Sequence, residues 1–248
     1  MTKRCLAAGL SARSTETGNN KTTSLMLQRK HLSLTYLELS AKEQEQAPLV
    51  VMLHGYGSNE KDLIHLAPSL HPGLTWISPR APRMLDLGMF GWFPLEFTAT
   101  GITVDYEAAG LARDRCIGFL SDLIKEYRPA GNKVFLTGFS QGAVMSYLIA
   151  FAAPELLHGV VAFSGQLPHR QLVDEEKLAI FNKIPMLVIH GIFDEILPIA
   201  KGKESNLYLQ NLLADLTYQE YPMGHEISAE AISLASKWLT KKVNLIGG

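Results

Sequence analysis

Short apolar runs alternate along this chain with longer stretches whose apolar residues recur every three or four positions. Residues 31–39 alternate, with Leu32, Leu34, Tyr36, Leu37 and Leu39, and this pattern predicts a strand. Residues 48–53 are continuously apolar, as a central parallel strand covered on both faces should be. Residues 74–78, 133–139, 158–163, 184–190 and 215–221 read as further strands. Helical spacing falls between them, at 60–66, 104–127, 141–152, 171–182, 199–213 and 227–239. The clearest is 104–127, where Ala109, Ala112, Cys116, Phe119, Leu120, Leu123 and Tyr127 form one stripe and Glu107, Arg113, Asp114 and Lys125 lie outside it. Strands alternating with helices predict an α/β architecture: a mostly parallel sheet of about seven strands with helices on both faces.

Two regions lack such a period. Residues 1–24 are small and polar and read as a disordered tail, leaving 25–248 as a single folded domain. Residues 84–102 follow a strand and are rich in large apolar groups, among them Met84, Leu87, Phe90, Trp92, Phe93 and Phe97. Such a loop suits an apolar ligand group, or packing for stability or for a dimer contact. The polar stretch 42–46 reads as a solvated turn.

Composition narrows the function classes. The 248 residues are 47% hydrophobic, and their formal net charge of −1 gives no basic surface for nucleic acid or anionic membrane. Cys5 and Cys116 make neither a disulfide framework nor a zinc pattern, and they suit a reducing, cytoplasmic setting. The histidines show no metal-ligand spacing, so neither metal nor cofactor is expected. The uncharged stretch 134–154 contains Thr137, Gly138, Ser140 and Gln141 and reads as buried strand plus helix, so no stable membrane insertion is expected.

The chemistry centres on Gly138-Phe139-Ser140-Gln141-Gly142, set between a buried strand and an apolar helix. A Gly-x-Ser-x-Gly turn there is a nucleophile elbow: the serine sits on a strained bend above the sheet, and the glycines let strand and helix close around it. The backbone N–H of Gln141 should lie at a helix N-terminus, where developing negative charge is favoured. A serine hydroxyl also needs a base, a group to orient that base, and oxyanion donors. Asp194 follows a buried strand 54 residues later, and His225 lies 31 residues beyond it, between the last strand and the last helix. The order Ser, acid, His places all three at the carboxyl edge of one sheet. Glu195 is a rival acid, and His54 and His190 are rival bases. Both histidines precede a glycine at a strand end and are better read as locally bonded.

These motifs resemble the phospholipase/carboxylesterase family of α/β-hydrolases, which includes small carboxylesterases and acyl-protein thioesterases. The matching residues are His54-Gly55-Tyr56-Gly57, Ser78-Pro79-Arg80-Ala81-Pro82, Trp92-Phe93, the serine elbow, residues 190–198 and Tyr221-Pro222-Met223-Gly224-His225. The resemblance implies an α/β-hydrolase fold. It also implies Ser140 as nucleophile, Asp194 as acid, His225 as base, and the N–H groups of Tyr56 and Gln141 as oxyanion hole. Phe90, Trp92 and Phe93 are expected beside the acyl group. The implied activity is cofactor-independent hydrolysis of short-to-medium carboxylic esters. Thioester or lysophospholipid hydrolysis by the same triad, amide or peptide cleavage, and a catalytically silent binding protein are the alternatives. Small members of the family often form homodimers, and that expectation rests on resemblance alone.

Overall fold

The computed structural model describes residues 26–40, 47–98, 101–168 and 175–246. The tail expected over 1–24, the turn at 42–46 and residues 171–174 of one expected helix lie outside them. Along the chain come β1 (Met26–His31), β2 (Thr35–Ser40), β3 (Leu49–Leu53), α1 (Ala67–Leu70) and β4 (Thr75–Pro79). Then follow β5 (Arg83–Asp86), β6 (Met89–Gly91), β7 (Leu95–Thr98), β8 (Gly101–Val104), α2 (Tyr106–Tyr127) and β9 (Val134–Phe139). The last part holds α3 (Gln141–Ala152), β10 (Leu157–Phe163), α4 (Leu178–Phe181), β11 (Met186–Gly191), α5 (Ile199–Leu209), β12 (Leu216–Tyr221) and α6 (Ala229–Asn244).

Eight strands form the main sheet in the order β1-β2-β4-β3-β9-β10-β11-β12. From β4 to β12 all neighbours run parallel, while β1 and β2 pair antiparallel at one edge. This is one strand more than the pattern suggested. The alternation read as a single strand over 31–39 conceals a reversal, after which Thr35 pairs back with His31. Edge strand β1 has Leu27 half exposed, so its sequence carries little burial signal.

Alternating side chains of each central strand enter two separate cores. On one face Leu49, Val51 and Leu53 of β3 pack with Phe119 and Leu123 of α2 and Leu148 of α3. On the other, Val50 and Met52 pack with Leu63, Ile64 and Trp238 of α6. The apolar stripe of α2 is buried as its spacing predicts, from Ala109 to Leu123. That helix starts where the Asp105 side chain accepts the N–H of Ala108, a cap that satisfies a donor with no helical partner. Helix α3 is different: every residue from Gln141 to Phe151 is buried. Such a helix is apolar on all sides because sheet, α2 and neighbouring turns enclose it. No helix among the described residues is long and apolar enough to cross a membrane.

The helix expected over 60–66 is instead a 3-10 turn (Leu63–Leu66) running into the single turn of α1. Just before it, the Glu60 carboxylate is buried and turned to Arg29 and Arg80. The 84–102 segment is also more ordered than expected. It forms two small hairpins, β5–β6 and β7–β8.

Candidate active site

Strand β9 delivers the chain to Ser140, whose φ of 54° and ψ of −117° lie where side chains rarely sit. The turn is held from both sides. Ser140 N–H donates to Phe163 O at 2.9 Å, and Ser140 O accepts from Ala143 and Val144. A Cβ on Gly138 would come within 2.2 Å of Gly142 O, and one on Gly142 within 1.9 Å of Leu53 O. Only glycine lets strand, helix and the end of β3 meet this closely.

His225 reaches this serine from the turn between β12 and α6. Its Nε2 lies 2.9 Å from Ser140 Oγ and its Nδ1 2.7 Å from Asp194 Oδ2. With an ionised carboxylate the tautomer follows: Nδ1–H donates to Asp194, and Nε2 accepts the serine proton. The imidazole packs against Phe139, ring centres 4.8 Å apart. Asp194 is 5% exposed. Burial pushes its carboxyl upward, but the His225 hydrogen bond and charge and the N–H groups of Leu197 and Ile196 outweigh that, leaving it below the ordinary carboxylate range. Those two N–H groups donate to Oδ1 at 2.8 and 2.9 Å, leaving Oδ2 for the histidine.

The rivals lie close by, with His190 Nε2 3.7 Å from Asp194 Oδ2, but His225 is the residue bonded to Ser140. Glu195 is exposed to solvent. His190 Nε2 donates to Leu197 O at 2.7 Å, the local bond expected for it. His54 is completely buried; its Nε2 accepts from Ala81 N–H at 3.0 Å, so its Nδ1–H donates to Gly55 O at 2.8 Å. Burial lowers its pKa to about 4, so it is a neutral tie between two loops and no proton acceptor for Ser140.

The two expected oxyanion donors lie on segments that meet at the serine. Gln141 is the first residue of α3, whose first N–H groups have no partner within the helix. The turn carrying Tyr56 approaches closely: a Cβ on Gly55 would lie 3.5 Å from Ser140 Cβ. Gly57 adopts φ +79° and donates to Phe90 O at 2.9 Å, which ties the turn to β6.

Of the three residues expected beside the acyl group, Trp92 and Phe93 are only 2% and 1% exposed and belong to the core. That is a correction: their rings are enclosed by protein, so neither offers a surface to a ligand. Trp92 Nε1–H donates to His54 O at 2.9 Å, and its backbone N–H donates to Gln141 Oε1 at 2.9 Å. Gln141 Nε2 in turn donates to Phe93 O at 2.8 Å. Phe90 is half-buried under the Arg80 guanidinium, 4.7 Å from its ring centre. Arg80 grips Glu60 through two bonds of 2.7 and 2.6 Å, and Arg29 adds a third of 2.8 Å. Sequence reasoning missed this cluster, although an acidic residue so close behind a glycine turn was its signal. A cleft of about 750 Å³ runs between Gln166–Pro168 and α5 and is lined by Tyr106, Lys201, Leu207 and Tyr208. No triad residue lines it.

A profile of the phospholipase/carboxylesterase family matches residues 34–243. The chain belongs to that family. It is 30% identical over 223 residues to acyl-protein thioesterase 1 of Aspergillus fumigatus, covering 78% of this chain and 87% of that one. The crystal structure of the Bacillus cereus carboxylesterase superposes with a TM-score of 0.72 at 26% identity, covering 84% of this chain and 94% of that one. A relative from Oryza sativa subsp. japonica, 26% identical over 226 residues with 85% and 91% covered, is named a probable inactive carboxylesterase. Family membership therefore brings the α/β-hydrolase fold and a lineage of esterases and thioesterases. Whether a given member works depends on its own site.

Proposed function

We propose that this chain is a serine hydrolase of carboxylic esters, working through an acyl-enzyme at Ser140. The observation that carries the proposal is the continuous hydrogen-bonded series Ser140–His225–Asp194, built on a strained turn whose glycines have no substitute. As the ester carbonyl is attacked, the Ser140 proton passes to His225 Nε2, and Asp194 stabilises the imidazolium that results. The carbonyl oxygen becomes an oxyanion held by the N–H groups of Tyr56 and Gln141, each worth about 3 kcal/mol to the transition state. The C–O bond to the alcohol breaks, and the alcohol leaves with the proton from His225. Water then repeats the sequence on the acyl-enzyme, releasing the acid and restoring Ser140.

Short-to-medium acyl esters are the first substrate class. Thioesters are the second, favoured by the name of the Aspergillus fumigatus relative. The test is a chain-length series of p-nitrophenyl esters, with a matched acyl thioester, on wild type and Ser140→Ala. Wild type should turn over one class with a clear chain-length maximum, and Ser140→Ala should lose about 10⁶-fold in kcat. Retained turnover in Ser140→Ala would reject the mechanism. No turnover together with no labelling by a serine-reactive phosphonate would favour a silent binding protein.

A further inference from the structure

We infer that Trp92 and the Gln141 side chain form a positioning strut that fixes the two oxyanion donors relative to each other. This rests on the proposed serine mechanism. The donors come from loops far apart in sequence, one after β3 and one after β9, and a shift of about 1 Å between them would cost on the order of 10²-fold in rate. Both need a common anchor, and the chain supplies one residue bonded to both sides.

On the Gln141 side, the side-chain amide pairs with backbone like a short strand. It accepts from Trp92 N–H and donates to Phe93 O, and it is buried at 3% exposure. A glutamine amide bonded at both ends has one orientation and holds the first turn of α3 against residues 92–93. On the Tyr56 side, the indole N–H of the same Trp92 donates to His54 O. The next carbonyl, Gly55 O, accepts from His54 Nδ1 and from Ser58 N–H at 3.2 Å. In a trans peptide the C=O and N–H point in opposite directions. Fixing Gly55 O from one side therefore fixes the direction of Tyr56 N–H on the other. Trp92 thus touches both donor-bearing segments through two different N–H groups, and its ring, 5.3 Å from that of His54, fills the space between them.

The strut accounts for two buried polar side chains that serve no role in proton transfer, and it gives Trp92 a task that its enclosure allows. Trp92→Phe removes the indole N–H while keeping an aromatic ring; Gln141→Met keeps side-chain length while removing both amide bonds. Each is measured on folded protein, with active sites counted by titration with a serine-reactive phosphonate. The readouts are kcat, KM and the affinity of a trifluoromethyl ketone, whose adduct carries the oxyanion.

Each variant should lose about 10- to 100-fold in kcat per titrated site, less than deletion of a whole donor. KM should stay within about 2-fold, and ketone affinity should fall in parallel with kcat/KM. The double variant should lose little more than the worse single variant, because both cut the same connection. Unchanged kcat and ketone affinity per titrated site would overturn the strut, even if thermal stability dropped. A rise in KM alone would also overturn it, by making Trp92 a substrate contact. If wild type itself shows no Ser140-dependent turnover, the functional reading fails first, and the two failures are told apart by that control.

Discussion

The serine turn and the hairpin β5–β6 both project from carboxyl ends of strands, and they are built in opposite ways. Around the turn every residue of β9 and nearly all of α3 is buried, and two glycines face backbone atoms closer than any Cβ could approach. In the hairpin, Leu87 is 95% exposed, Met84 is 69% exposed, and a Cβ on Gly88 would meet nothing within 4 Å. The hairpin is tied at its base, where Phe90 N–H donates to Ser58 O at 2.8 Å, and at its tip, where Asn59 Nδ2 donates to Gly88 O at 2.8 Å. Where backbone proximity sets the reacting geometry, the sequence has almost no freedom. At the exposed hairpin tip side chains meet few neighbours, so substitutions there cost little.

After the loss of Ser140 itself, the largest expected effect separates neighbours within the constrained region. Asp194→Asn should cost about 10⁴-fold in kcat by favouring the wrong histidine tautomer. Glu195→Gln, exposed and one residue away, should change ester turnover less than about 2-fold. Equal losses would break the assignment of the acid.

The next contrast is steric. Gly142→Ala should destabilise by more than about 3 kcal/mol or leave no soluble protein, because its Cβ would collide with Leu53 O. Gly88→Ala should cost about 1–2 kcal/mol, from its φ of +76° alone. Urea midpoints of the two variants measure the difference.

Between the two regions lies Glu60, which pins Arg80 and through it Phe90 at the hairpin base. Burial raises its carboxyl pKa, but the hydrogen bonds and charge of Arg80 outweigh burial and hold it below its ordinary value. A depressed carboxyl contributes stability above its unfolded pKa of about 4.3, and that contribution is lost as pH falls through its folded pKa. Glu60→Gln should therefore lower stability at pH 7 by about 3 kcal/mol, the low end for a buried pair because both arginines reach water. It should also flatten the loss of stability below about pH 4.3. Denaturant titrations across pH check both signs. The smallest effect belongs to the hairpin tip: Leu87→Ser should shift stability by less than about 0.5 kcal/mol.

The same contrast explains what could be read from the sequence. The serine elbow and the order of Ser140, Asp194 and His225 were legible because local sterics and strand-end placement dictate them. The two hairpins were not: β5 and β6 are short, β5 is largely exposed and so shows no alternating burial pattern, and the bridge from Ser58 to Phe90 joins residues far apart in sequence. Trp92 and Phe93 looked like ligand-facing aromatics because composition reports that a residue is apolar, not which way it faces. Their enclosure depends on Gln141, nearly fifty positions away. Glu60 was hidden for the same reason: its partners Arg29 and Arg80 flank it at long range.

The most direct measurement is to quench the protein during turnover of a p-nitrophenyl ester and locate the acyl group by peptide mass spectrometry. The expected result is an acyl adduct on the peptide containing Ser140, formed during turnover and absent from Ser140→Ala. Turnover without that adduct, or an adduct on another residue that Ser140→Ala leaves in place, would contradict an acyl-enzyme at Ser140.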